Sequence, residues 1–282
     1  MKFCYLIGYP VGHSMSAVMH NAAFLELGLD FRYELHPVRP EELGRFVSST
    51  MRTSDVRGAS VTIPHKVSVV SHLDEVDAVA MSIGAVNTIV NDDGWLKGYN
   101  TDGIGAMRSL EEAFGDLHGA KVVILGAGGA ARAISYYLST VVGELVILNR
   151  TLERAEELAD AIIEYSECRS TISALRLCSE GLGRALDGAD VVINATSVGM
   201  KPNIDATPID SKLLRSDLLV LDIVYNPPKT RLLREAEAAG ARTLTGVGML
   251  VYQGVAAFKL WTGMDAPEEI MMRRVEEALG VG

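Results

Sequence analysis

The chain is poor in cysteine, in aromatic residues and in positive charge. Its 282 residues include three cysteines, Cys4, Cys168 and Cys178. This odd, scattered set suits neither a disulfide framework nor a thiolate metal site, so a reducing, cytoplasmic compartment is expected. The histidines His13, His20, His36, His65, His72 and His118 show no metal-ligand spacing among themselves or with cysteine, and no metal is expected. Lysine and arginine total 26 against 36 acidic residues, a net charge of −10 with a pI near 5.1. Such a surface repels phosphate backbones and anionic membranes, which argues against nucleic-acid and membrane partners. No apolar run is long enough to span a bilayer. The segment Met1–Gly8 has too short an apolar stretch for a secretory signal and no small-residue cleavage site.

What is present is core-forming material. The chain is 48% hydrophobic with mean hydropathy +0.19, and its length suggests two domains. Apolar runs at 3–8, 31–38 and 56–63 read as strands. Helical periodicity covers 16–27, 40–47 and 74–83. The Asn91-Asp92-Asp93-Gly94 turn joins runs at 85–90 and 95–99 as a hairpin. This alternation predicts a mostly parallel sheet with one antiparallel edge. A linking helix is expected over 101–114. Strands at 122–125, 145–148, 191–193, 218–224 and 243–245 form a second α/β unit, and helices at 249–261 and 267–279 close the chain.

The segment Lys121 to Ala131 is an apolar strand running into a G-x-G-x-x-A turn, Gly126-Ala127-Gly128-Gly129-Ala130-Ala131, and then a helix. Gly126 permits the tight turn, Gly128 lets a pyrophosphate approach the backbone, and Ala131 lets helix and strand pack closely. Helix N-terminal N–H groups then face the phosphates. At the end of the next strand, where an NAD site carries a carboxylate for the ribose 2′-hydroxyl, stand Asn149, Arg150 and Thr151. Arg150 can fork onto a 2′-phosphate, and Arg154 follows one helical turn on. The sign of this charge selects NADP over NAD.

A nicotinamide reaction needs an acid/base for the substrate oxygen. In Val61-Thr62-Ile63-Pro64-His65-Lys66, proline ends a strand and Lys66 lies at its carboxyl end. In the first turn of a following helix the ammonium would meet an unfavourable dipole, favouring the neutral amine. Asp102, at the start of the linking helix, could face Lys66 and favour its charged form. Each also has an ordinary reading, as a surface lysine and as a first-turn acid. Ser14 and Ser16 open the first helix, either as caps or as an anion-binding pair. His13 and His65 are expected to be non-catalytic, because neighbours in an extended chain point apart.

Taken together and in order, the segments 8–16, 20–24, 58–66, 84–88, 98–103, 126–131, 149–151, 194–200, 222–227 and 246–254 resemble the shikimate dehydrogenase family. The resemblance covers essentially the whole chain. It implies an N-terminal α/β substrate-binding domain (1–101 with 247–282), a Rossmann-type NADP-binding domain (102–246), and a cleft between them that closes on substrate. It implies reversible reduction of 3-dehydroshikimate to shikimate by NADPH, on the route to chorismate and the aromatic amino acids. Lys66 would be the acid/base and Asp102 its partner. Ser14, Ser16 and Tyr225 would hold the substrate carboxylate, and Thr62, Asn87, Asp102 and Gln253 its hydroxyls. Asn149, Arg150, Thr151 and Arg154 would hold the adenosine phosphate, with Thr196, Val224, Gly246 and Met249 also on the cofactor. The alternatives are an enzyme that also takes quinate, and a non-catalytic NADP-sensing module, which would be expected to have lost Lys66 or Asp102. A monomer and a homodimer are equally compatible with the composition.

Overall fold

In a computed structural model describing residues 1–281, the chain folds as two compact units. The first comprises Met1–Gly105 and the chain from Leu250 onward; the second is Ala106–Met249.

The first unit contains β1 (Lys2–Gly8), α1 (Ser16–Glu26), β2 (Phe31–Pro37), α2 (Leu43–Ser48), β3 (Val56–Val61), β4 (Glu75–Val76), α3 (Ala78–Ile83), β5 (Thr88–Asp92) and β6 (Trp95–Tyr99). The strands form one sheet in the order β2-β1-β3-β5-β6-β4. The single antiparallel strand, β5, lies inside the sheet rather than at its edge. Asp93 and Gly94, with φ of 47° and 95°, make the tight reversal into β6, which again runs with β3. The true edge is β4, parallel to β6. The helix expected over 74–83 is therefore split. Asp77 caps Val79 N–H at 3.1 Å, so α3 starts only after it. Asp74 upstream is fixed by Arg52 and by the Leu96 N–H.

One sheet face packs Tyr5, Ile7, Val61 and Ile89 against Leu43 and Val47 of α2. On the other lie Phe24 of α1 and Phe258 and Trp261 of α9 (Gly246–Thr262), with α10 (Glu268–Leu279) beside α1. The Trp261 indole donates to the Ile89 carbonyl at 3.0 Å. Gly58 makes this approach possible, since a Cβ there would meet both the indole and that carbonyl.

After α4 (Asp102–Phe114), the second unit runs β7 (Lys121–Leu125), α5 (Gly129–Leu138), β8 (Glu144–Asn149), α6 (Leu152–Tyr165), β9 (Thr171–Arg176), α7 (Ser179–Leu186), β10 (Val191–Asn194), β11 (Leu219–Asp222), α8 (Arg231–Ala238) and β12 (Arg242–Thr245). All its strands are parallel, in the order β12-β11-β10-β7-β8-β9, and the order reverses between β7 and β10. That reversal is where doubly wound sheets bind ligands. Strand β9 and helices α7 and α8 have no counterpart in the sequence reading. An edge strand carrying Ser173 and two end residues in solvent has too weak an alternation to stand out. Among the described residues no helix is long and apolar enough to cross a membrane.

Candidate active site

Because β1, β3 and β6 run parallel and β5 runs against them, one edge of the first sheet collects four chain segments. These are the turns after β1 and β3, the residue before β5 and the turn after β6. They carry Ser14 and Ser16, Thr62 and Lys66, Asn87, and Asp102. The antiparallel strand is what brings Asn87 to this edge.

Lys66 does not lie in the first turn of a helix. It sits in an irregular turn before a 3₁₀ segment, Ser68–His72, so the dipole expected beside it is not there. The turn is pinned on both sides of the lysine. The Lys66 carbonyl accepts the Val86 N–H at 2.7 Å, and the buried His65 ring donates from Nε2 to the Val38 carbonyl at 2.6 Å. His65 thus points into the core and its neighbour points away. Lys66 Nζ donates to Asp102 Oδ2 at 2.5 Å, the two side chains being 15% and 5% exposed. The other carboxylate oxygen accepts Asn87 Nδ2 at 2.9 Å. A charge pair this far out of water persists only with such additional hydrogen bonds.

Asn87 is itself fixed from every side. Its Nδ2 also donates to Thr101 Oγ1 at 2.9 Å and faces Gln253 Oε1 at 3.4 Å. Its Oδ1 accepts the Thr101 N–H at 2.8 Å and the Thr88 hydroxyl at 2.9 Å. Gln253, on α9, spends one N–H on the Leu250 carbonyl at 2.7 Å. Thr88 and Thr101 are both buried. Sequence reasoning missed them as site residues because a threonine at a strand end gives no signal of its own. The Asn-Thr-Asp run was the available clue.

At the start of α1, Ser14 Oγ donates to Ser16 Oγ at 3.1 Å and accepts the Ser16 N–H at 3.2 Å. The formal cap residue, Met15, offers no side-chain hydrogen bond, and the first turn holds no acid. Two hydroxyls and open helix N–H groups make a set of donors suited to a carboxylate.

In the second unit, Gly126 has φ +111°, and a Cβ there would crowd the Ala195 carbonyl at 3.0 Å. A Cβ at Gly128, the cap of α5, would meet no protein atom within 4 Å, and no side chain caps that helix. The protein's own packing does not require glycine at 128, whereas a pyrophosphate lying against the backbone does. Ala127 packs against the unit's main apolar cluster, which contains Ala131; Ala130 lies between Gly129 and Ala131 in the first turn of α5. At the carboxyl end of β8, Asn149 Nδ2 is held by the Thr151 carbonyl at 2.9 Å. Thr151 starts α6 without using its hydroxyl as a cap. Among the described residues neither Arg150 nor Arg154 has a carboxylate within ion-pair distance, and both are exposed. Donors of this kind, with no acid among them, fit a 2′-phosphate.

A second polar network, which the sequence did not reveal, binds the next loops along this edge. Asp222 at the end of β11 is fully buried. It accepts Asn194 Nδ2 at 2.9 Å, the Val224 N–H at 3.1 Å and the Thr230 hydroxyl at 2.6 Å. Asn194 Oδ1 in turn takes the Thr196 hydroxyl at 2.6 Å. Burial pushes the Asp222 carboxyl up to about 6 despite these donors. The loops bearing Thr196, Val224 and Tyr225 are thereby tied to one carboxylate. Tyr225 follows directly, half-buried. Gly246 opens α9, where a Cβ would strike the Ile223 carbonyl, and Met249 packs into the unit's apolar cluster.

Comparison with known proteins agrees with this geometry. Residues 6–89 match the shikimate dehydrogenase substrate binding domain, residues 108–229 the shikimate / quinate 5-dehydrogenase family, and residues 246–276 the shikimate 5′-dehydrogenase C-terminal domain. The shikimate dehydrogenase (NADP(+)) of Moorella thermoacetica is 48% identical over 98% of this chain and 92% of its own length. That of Methanopyrus kandleri is 50% identical over 97% and 94%. A crystal structure of a shikimate dehydrogenase in complex with NADP+, 44% identical, superposes with a TM-score of 0.90 over 99% of this chain and 96% of its own. The chain belongs to the shikimate dehydrogenase family.

Proposed function

We propose that the protein interconverts 3-dehydroshikimate and shikimate with NADPH and NADP+. The observation that carries this reading is the part-buried Lys66–Asp102 pair, backed by Asn87, on the sheet edge that also holds Ser14 and Ser16. NADP(H), when bound, supplies or accepts the hydride. The glycine turn 126–131 would hold its pyrophosphate, and Asn149, Arg150, Thr151 and Arg154 its 2′-phosphate. Thr196, Val224, Gly246 and Met249 complete the cofactor side, and the second unit is then the NADP-binding domain.

The first unit binds the substrate. Ser14 and Ser16 donate to the carboxylate, with Tyr225 assisting. Thr62, Asn87, Asp102 and Gln253 take the ring hydroxyls. Lys66 holds the proton at the reacting oxygen. It donates that proton as the ketone becomes an alcohol and withdraws it in the reverse direction. Asp102 fixes the ammonium with one oxygen while Asn87 holds the other, so the amine is aimed before substrate arrives.

A quinate-oxidising enzyme is the competing reading, since one of the matching families spans both activities. Quinate carries an added hydroxyl at the carboxylate-bearing carbon, which must share a region already lined by two serine hydroxyls. Steady-state rates with shikimate and quinate, each against NADP+ and NAD+, test the proposal. The expected result is a kcat/KM for shikimate with NADP+ exceeding every other combination by at least tenfold. Equal or faster quinate oxidation, or preference for NAD+, would overturn it.

A further inference from the structure

Arg176 ends β9, the edge strand beside β8. It is paired in parallel register with Asn149, and the Leu177 N–H bonds to the Asn149 carbonyl at 2.9 Å. Parallel register puts paired side chains on the same sheet face, with strands about 4.8 Å apart. That face is identified by the residues two and four positions earlier on each strand. Ile147 and Leu145 of β8, and Ala174 and Ile172 of β9, all belong to the cluster packed under α5 and α6. Arg176 therefore leaves the carboxyl edge of the sheet on the side of the glycine-turn helix and of α6, the helix that carries Arg154. Its backbone is fixed there, because a Cβ at Gly181 of α7 would strike the Arg176 carbonyl. The guanidinium is exposed and, among the described residues, has no carboxylate within ion-pair distance. A cation on a rigid strand end, left unpaired in a chain of net charge −10, is one a dianion can claim.

We propose that Arg176 is a specificity-determining residue for the adenosine 2′-phosphate, reaching it from the neighbouring strand to complete a clamp with Arg150 and Arg154. This rests on the NADP reading above. Two probes that differ only by the 2′-phosphate, adenosine 2′,5′-bisphosphate and adenosine 5′-monophosphate, separate the two claims by isothermal titration calorimetry without any turnover. In the wild type the bisphosphate is expected to bind at least tenfold more tightly than the monophosphate. Arg176→Gln should weaken the bisphosphate about tenfold and leave the monophosphate within twofold, with an unchanged circular dichroism spectrum. If Arg176→Gln leaves the bisphosphate unaffected while Arg150→Ala weakens it, Arg176 is excluded and the strand-end phosphate site stands. Equal weakening of both probes would show that the residue does not read the phosphate. A wild type that does not discriminate between the probes would overturn the NADP reading itself, and this proposal with it.

Discussion

The carboxyl group of Asp222 lets the stability of the second unit be tied to one titration. Burial raises it from the ordinary 3.8 to about 6 in the folded protein. An acid whose folded value is raised favours the folded state when protonated. Its stabilising contribution is fully present below about pH 4 and is lost as pH rises through 6. A shift of roughly two units corresponds to about 3 kcal/mol. Asp222→Asn retains an oxygen for Asn194 and Val224 but changes the partner of Thr230, a cost of about 1 kcal/mol that does not depend on pH. Urea unfolding of wild type and variant, followed by circular dichroism between pH 4 and 7.5, isolates the titration in their difference. The variant should gain about 3 kcal/mol relative to wild type across that range, the change accumulating between about pH 4 and pH 6 and levelling off above it. A difference that stays flat with pH would refute the argument that this carboxylate is held ionised against its burial.

Four further outcomes follow from the same geometry. His20 stacks on Tyr33 at 4.6 Å with both ring nitrogens unpartnered, and burial lowers its pKa from 6.5 to about 3. A base with a lowered folded pKa contributes stability above pH 6.5 that is lost as pH falls toward 3. His20→Phe should therefore flatten the acid loss of the first unit, read by fluorescence because both tryptophans, Trp95 and Trp261, lie in that unit. Lys66→Met should lower kcat by a factor of about 10² to 10⁴ while calorimetry still detects shikimate binding. It should also cost about 3 kcal/mol of stability by leaving Asp102 buried beside Asn87 alone. Asp102→Asn should reduce both kcat and shikimate affinity in steady-state assays, because it frees Lys66 and loses a carboxylate acceptor. Arg150→Ala should raise the KM for NADP+ at least tenfold and that for NAD+ less than twofold; equal effects would show that Arg150 does not read the 2′-phosphate.

The parts of this molecule legible in the sequence are those that a local pattern encodes. The strand-glycine-helix run at 121–138 needs no distant partner to declare itself, and neither does the absence of an acid at 149–151. Lys66 and Asp102 could be nominated but not joined, since their 2.5 Å contact depends on β3, β5 and β6 lying side by side. The place of the antiparallel strand, expected at the sheet's edge and found inside it as β5, was misjudged for the same reason. A hairpin signal says that two strands reverse, not where the pair sits in a sheet. Asp222, Thr88 and Thr101 were passed over because their roles arise from burial and from hydrogen bonds to residues on other strands or loops. The dipole imagined at Lys66 required a helix that the turn, pinned by His65, does not form.

The most direct test of Lys66 as the proton carrier is chemical rescue. Shikimate oxidation by Lys66→Ala would be measured with a series of small alkylamines of graded basicity, at fixed pH and saturating NADP+. An amine entering the space left by the side chain should restore turnover, with the restored rate varying systematically with amine basicity. Full retention of kcat in the unrescued variant, or rescue indifferent to basicity, would contradict the account.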